Sequence, residues 1–184
     1  MQRGFTLVEL MFTIAILGVI ASIAIPALND FVARHRDKAA ARQLLGSLNY
    51  ARSMAVSRQQ IVIVCGTSDG TSCSVSDQWT GGGLIFADTD RDGELDPGET
   101  LLQRILPPPA ESTLTFNGGI WKTLRYRPDG RLNTGANFEY CPPAGEPASG
   151  WVIVLNPTGR PYFGRDGDGD GVPENGSGEN LSCT

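Results

Sequence analysis

The sequence is poor in the residues that most often carry catalysis. It holds one histidine, His35, and no G-x-S-x-G elbow, P-loop or Rossmann glycine pattern after a strand. A Ser/His pairing for acyl transfer therefore has little to draw on. An Asp/Glu pair could in principle hydrolyse sugars, but nothing in the spacing selects one. The four cysteines, Cys65, Cys73, Cys141 and Cys183, form no C-x-x-C pair and no Cys/His cluster, which disfavours zinc. No period of 20 to 50 residues recurs, which argues against a repeat architecture. Basic charge is scarce in the second part of the chain. Residues 61–184 hold eight Lys/Arg against seventeen Asp/Glu, whereas residues 1–60 hold seven against three. The larger part is acidic, which lowers the case for a nucleic-acid binder. The chain is not expected to be an enzyme. No cofactor is expected either, apart from a calcium ion weighed below.

What is present begins with a long apolar run. From Phe5 to Ile25 the only charged residue is Glu9. The run is long enough to cross a bilayer as a helix of about 30 Å. It is too long for an ordinary secretory signal, and no A-x-A-like cleavage site follows it. A carboxylate in hydrocarbon is costly and points to function. Pro26 interrupts the run and is expected to kink the helix. Beyond it, Ala41, Leu44, Leu48, Ala51 and Ala55 recur at helical spacing, with Arg42, Asn49, Arg52 and Arg58 off that stripe. One helix is expected to about Ser57, and His35 reads as a solvated residue on it.

The segment "GFTLVE" resembles the class III leader of type IV pilins and pseudopilins: Gly4, then Phe5, Thr6, Leu7, Val8 and Glu9. The resemblance implies that a prepilin peptidase cuts after Gly4 and methylates the new amino group of Phe5. It implies that Glu9 pairs with the Phe5 ammonium of a neighbouring subunit during assembly. The amino-terminal position of Glu9 also sets it at the positive end of the helix dipole. Flanking charges give no clear orientation under the positive-inside rule. The resemblance puts the amino terminus in the cytoplasm and the rest in the periplasm, anchored by one pass in the inner membrane.

That compartment suits paired cysteines. Four cysteines allow three pairings. Cys65–Cys73, closing "CGTSDGTSC", and Cys141–Cys183, tying down a Gly/Asp-rich tail, are favoured; free buried thiols are the alternative.

The second part reads as short strands, 61–65, 84–87, 101–106, 113–116, 123–127 and 151–155, separated by Gly, Pro, Asn and Asp. The segments 107–112 and 141–150 read as exposed connections. The fold class is α+β and pilin-like: a long amino-terminal helix, its first half transmembrane, on an antiparallel β-sheet head. The division expected is a leader at 1–4, a transmembrane and filament-core helix at 5–30, an amphipathic second half at 31–58, and a periplasmic β-rich head with a Gly/Asp-rich tail at 59–184. "W-x-G-G-G-L-I-F-x-D" (79–88) and the acidic turn after it resemble the hairpin of the GspH/FimT family of pseudopilins and minor pilins.

Two acidic loops fit calcium chemistry. Residues 88–99 match D-x-D-x-D-G-x5-E, with Asp88, Asp90 and Asp92 offering oxygens, Gly93 the turn and Glu99 a bidentate carboxylate. Residues 166–171 begin alike, with Asp166, Asp168 and Asp170, but Ser177 stands at the twelfth position. Plain hairpin chemistry explains Asp/Gly turns equally well.

The FimT-like relatives include DNA-binding members with a G-R-x-R motif. Here Gly159 and Arg160 match, Tyr162 stands where the second arginine belongs, and Arg165 follows. Arg125 and Arg127, interleaved with Trp121 and Tyr126, could add phosphate contacts and stacking. The alternative is a solvated pattern balancing the acidic loops, and DNA is disfavoured.

The resemblance implies a minor pilin or pseudopilin that helps assemble a type IV pilus in a priming or tip complex. Its implied partners are other pilins, minor pilins or pseudopilins, the prepilin peptidase and an inner-membrane assembly platform. A type II secretion pseudopilus is the first alternative, and DNA uptake in transformation the second.

Overall fold

The computed structural model describes residues 7–183. One helix, α1 (Leu7–Arg58), precedes eight strands: β1 (Ile61–Gly66), β2 (Gly83–Asp88), β3 (Thr100–Ile105), β4 (Thr113–Asn117), β5 (Thr123–Tyr126), β6 (Ala136–Cys141), β7 (Trp151–Leu155) and β8 (Pro161–Phe163). A short 3-10 turn, Pro147–Ser149, leads into β7. The chain divides into two compact units, one ending at Arg36 and the other running over Asp37–Thr184.

In the first unit, Leu7–Ile25 has a mean hydropathy of 2.4 and is wholly exposed. Leu7, Met11, Phe12, Ile16, Val19 and Ile23 lie on different sides of the helix, and all are exposed. A helix apolar all round suits hydrocarbon rather than a protein core of its own. Its hydroxyls are satisfied locally. Thr13 donates to the Leu10 carbonyl at 2.8 Å and Ser22 to that of Val19 at 2.7 Å, so neither carries an unmet donor into lipid. His35 lies beside Phe31, with ring centroids 4.2 Å apart.

In the second unit the end of α1 buries one stripe. Ala41, Leu44, Leu48, Ala51 and Ala55 are 0–3% exposed and join the main core. Arg42, Asn49 and Arg58 are exposed. Arg52 is half-buried, donating from Nε to the Gly130 carbonyl at 3.0 Å and from Nη2 to that of Thr158 at 3.2 Å. The helix stops at Gln59, whose φ of 54° is left-handed, a common way for a helix to end.

The strands form two antiparallel sheets, ordered β3-β2-β1-β5 and β4-β6-β7-β8. Trp79 is fully buried, edge-on to Phe138 at 4.7 Å and 5.8 Å from Phe116. It fits only because Gly66 and Gly83 lie against it; a Cβ on either would come within 2.7–2.8 Å of the indole. Tyr140 stacks on Trp151 at 4.8 Å. The first sheet also has a covered outer face. Ile63, Cys65, Leu84 and Phe86 are buried there, with Cys73 and Leu95 packed on them. The covering residues come from the Cys65–Cys73 loop and from the acidic loop 88–99.

Six strands fall where the sequence puts them. Two, β6 and β8, go beyond the expectation, and the sheet is two sheets. The expected exposed connection 141–150 is corrected at its start: Cys141 ends β6, and both it and Pro142 are buried.

Candidate functional site

The expected processing residues, Gly4 and Phe5, lie outside the described residues. Glu9 is exposed in the first turn of α1, where a negative charge meets the positive end of the helix dipole. Position 26, the proline, falls inside the helical span.

Both cysteine pairs are joined. Cys65–Cys73 closes a loop of sequence separation 8, and Cys141–Cys183 one of 42, each with Cα atoms 5.6 Å apart. Inside the small loop, Asp69 accepts the backbone N–H groups of Thr71 and Ser72 at 2.7 and 2.9 Å. Those bonds hold its carboxyl well below the usual carboxylate range. The long pair clamps the tail onto the second sheet, where Leu181 is buried with Cys141, Val152 and Val154.

The loop 88–99 joins β2 to β3 across their antiparallel pairing. Carboxylate oxygens of Asp88, Asp90 and Glu99 lie within 4.8 Å of one another, as do those of Asp90, Asp92 and Asp96. Asp88 is buried at the end of β2, while Asp90, Asp92 and Asp96 are exposed. Burial pushes the Asp88 carboxyl above its ordinary value, against the pull of the Arg91 N–H and of Arg125. The charge of Asp92, foremost, raises that of Asp96. Glu99 accepts the N–H and hydroxyl of Thr89 at 2.6 and 3.1 Å. Asp166, Asp168 and Asp170 also converge within 4.8 Å, all exposed.

The four arginines are not brought together by any contact among the described residues. Arg125 belongs to the acidic loop: its Nη2 is 3.5 Å from Asp88 Oδ2, and its guanidinium leans on the Arg91 carbonyl at 3.4–3.5 Å. Arg127, Arg160 and Arg165 are exposed, on loops flanking β5 and β8. Tyr126 corrects the stacking expectation. It is fully buried, because β5 alternates and turns Leu124 and Tyr126 inward while Arg125 faces out. Trp121 is about half exposed.

Sequence reasoning missed Asp37 and Arg52 as structural polar groups. Asp37 accepts the Tyr140 hydroxyl at 2.5 Å. Their signal was weak: a single charge beside an apolar stripe.

A family described as type II transport protein GspH matches residues 40–159. The prokaryotic N-terminal methylation motif matches residues 1–25. The type IV major fimbrial protein FimA of Dichelobacter nodosus is 59% identical over 34 residues, 18% of this chain and 21% of that protein. The chain thus covers about a fifth of the length of these curated relatives. The minor pilin FimU of Pseudomonas aeruginosa superposes with a TM-score of 0.58 at 23% identity, over 73% of this chain and 92% of that one. The minor pseudopilin EpsH of the Vibrio cholerae type 2 secretion system superposes with a TM-score of 0.52 at 16% identity, over 72% and 99%. At these identities the two structures attest the fold.

Proposed function

The chain belongs to the GspH family of minor pilins and pseudopilins, and from that premise we propose that it is a minor subunit that primes or caps a type IV pilus. The observation that carries the reading is the union, in one chain, of the methylation motif at 1–25 with the GspH match at 40–159. A prepilin peptidase cuts after Gly4 and methylates Phe5. The helix then rests in the inner membrane, with the sheet-bearing unit in the periplasm, until an assembly platform extracts it. The work of the chain is packing rather than catalysis.

Glu9 supplies the register. A carboxylate in hydrocarbon is stabilised best by a cation held at the same depth. The amine of Phe5 on the next subunit is such a cation, and it exists only after cleavage. Pairing the two couples processing to assembly. Pro26 loosens the helix at mid-span, so that neighbouring helices can pack in the filament core.

The tail clamped by Cys141–Cys183 favours a pilus over a secretion pseudopilus. A filament exposed outside the cell gains from a covalent tie on its most polar segment. DNA binding finds less support, since Arg125 is engaged by the acidic loop and Tyr126 is buried.

The test is the amount of pili sheared from a strain lacking this chain, beside a complemented one. Pili should be lost and restored. Unchanged pili with impaired export of secreted enzymes would move the subunit to a pseudopilus. Glu9→Ala should be cleaved normally yet enter filaments poorly, and normal incorporation would refute the pairing.

A further inference from the structure

Acidic turns are common on surfaces, and the clustering in 88–99 would by itself mean little. Asp88 makes the loop unusual. It is 2% exposed, and its side chain is fully covered. Its Oδ1 accepts the Arg91 N–H at 2.7 Å, but its Oδ2, equally buried, accepts no hydrogen bond. The nearest cation is the Arg125 guanidinium at 3.5 Å, beyond the usual length of a charge-assisted bond. Arg125 is itself half-buried, and its other contacts to the loop are long. A buried carboxylate oxygen that accepts no hydrogen bond, on a side chain that converges with the carboxylates of Asp90 and Glu99, calls for a stronger cation than this arginine provides.

We propose that Asp88, Asp90 and Glu99 bind a calcium ion, with Asp92 and Asp96 contributing from the triad that shares Asp90. The three oxygens already converge within 4.8 Å, a span that a cation with oxygen distances of about 2.3–2.6 Å bridges. The donors are all hard oxygens, with no histidine or thiol among them, which selects against zinc and softer metals. Calcium takes six to eight oxygens in a loose geometry, whereas magnesium demands a tight octahedron and holds its water. A loop with Arg91, Gly93 and Gly98 at φ of 73°, 86° and 113° and six carboxylates suits the former. Thr89 makes both of its contacts to Glu99 Oε1, and only a long bond from the Asp96 N–H, 3.4 Å, reaches Oε2, so Oε2 keeps a lone pair for a metal. The ion would tie the start of the loop at β2 to its end at β3, and hold Leu95 on the outer face of the first sheet. The second acidic loop carries no such proposal. Asp166, Asp168 and Asp170 are all exposed, so that cluster has no buried carboxylate like Asp88.

The experiment is calorimetric titration of calcium chloride into the full chain in detergent, with thermal unfolding in calcium, magnesium and chelator. We expect one ion per chain, a Kd of about 0.1–1 mM as in extracellular modules, and a higher Tm in calcium than in magnesium. Asp90→Asn and Glu99→Gln, both in the loop and outside the core, should fold normally in chelator and weaken binding about tenfold or more. Asp88→Asn should abolish the calcium effect without lowering the Tm in chelator. No calcium heat and no Tm change at about 10 mM in the parent chain would overturn the proposal. So would binding that survives Glu99→Gln but is lost in Asp168→Asn.

Discussion

Replacing Cys141 and Cys183 together by serine should loosen the tail before it loosens the sheets. The disulfide closes a separation of 42 residues, and the chain-entropy relation gives about 4 kcal/mol for global unfolding at 25 °C. Local opening involves a smaller loop. If β6, β7 and β8 stay paired, only the chain from the end of β8 at Phe163 to Cys183 is freed, a loop of about 20 residues worth about 3.3 kcal/mol on the same relation. That is a factor of about 250 in the opening equilibrium. Little else restrains the tail. Leu181 is buried in a pocket that Gly150 leaves open, where a Cβ would stand 2.4 Å from the leucine methyl. Burying that leucine contributes about 1.5–3 kcal/mol. The Glu174 N–H to Arg165 carbonyl and Leu181 N–H to Pro173 carbonyl bonds, 2.9 and 3.0 Å, lie within the tail. Native-state hydrogen exchange on the full chain in detergent reads the effect. The amides of Glu174 and Leu181 should exchange about two to three orders of magnitude faster in the variant, while those of β1 and β2 hold. The Cys65/Cys73 serine pair, with a separation of 8, should cost less, about 2.5 kcal/mol, and leave the tail protected. Unchanged tail protection in the Cys141/Cys183 variant would refute the reasoning. Equal loss in the tail and in β7 would also refute it, because the two would then open as one.

The two most deeply placed tyrosines set an alkaline limit. Burial pushes the phenols of Tyr126 and Tyr140 well above their ordinary value of 10. The folded chain keeps protons that the unfolded chain releases, so stability is intact below pH 10. It falls above it by up to about 1.4 kcal/mol per pH unit for each tyrosine. Tyrosinate absorbance from this pair should rise together with loss of circular dichroism; ionisation with the fold intact would contradict this. Gly66→Ala drives a methyl to 2.7 Å from the Trp79 ring, and should cost about 1–3 kcal/mol in urea unfolding, with a shift in tryptophan fluorescence. Leu48→Ala, at a position 0% exposed, should cost about 2–5 kcal/mol, and a loss below 1 would mean that the helix stripe is not core.

Periodicity made the helix and six strands legible. Ala41, Leu44, Leu48, Ala51 and Ala55 sit one turn apart, and a helix can bury them only on one side. The missed strands failed for different reasons. In β6, Ala136, Phe138 and Tyr140 point in and Asn137 and Glu139 lie half-buried between them. That is a period of two in which polar residues hide the apolar ones. The signal was there to be read. In β8 three residues begin with Pro161 and pair only with β7, at the edge of the sheet. Proline is tolerated there because an edge strand need not donate on both sides, and nothing local announces it. The partition into two sheets is likewise a matter of long-range pairing, such as β4 with β6, which composition does not encode.

Arg125 shows where motif reading loses its hold. In the sequence it stands among aromatic and basic residues and reads as a phosphate contact. Strand parity already limits that reading: if Arg125 faces out, Tyr126 faces in, and one of the two expected stacking rings is lost. The rest depends on a neighbour far along the chain. Antiparallel pairing sets Arg125 opposite Ile63 of β1, and β1 in turn pairs with β2, so the guanidinium reaches the start of the loop at Asp88. A cation that the linear sequence offers to a ligand is thereby turned toward an anion of its own fold. The same pairing leaves Asp88 covered and its second oxygen without a donor. The acidic excess of the second unit is thus organised in part around a buried carboxylate, and a buried charge of this kind has meaning only through the partner brought to it. Whether that partner is Arg125 alone or a metal is what separates an ordinary hairpin turn from a binding site, and the Asp88→Asn variant in chelator and in calcium distinguishes them directly.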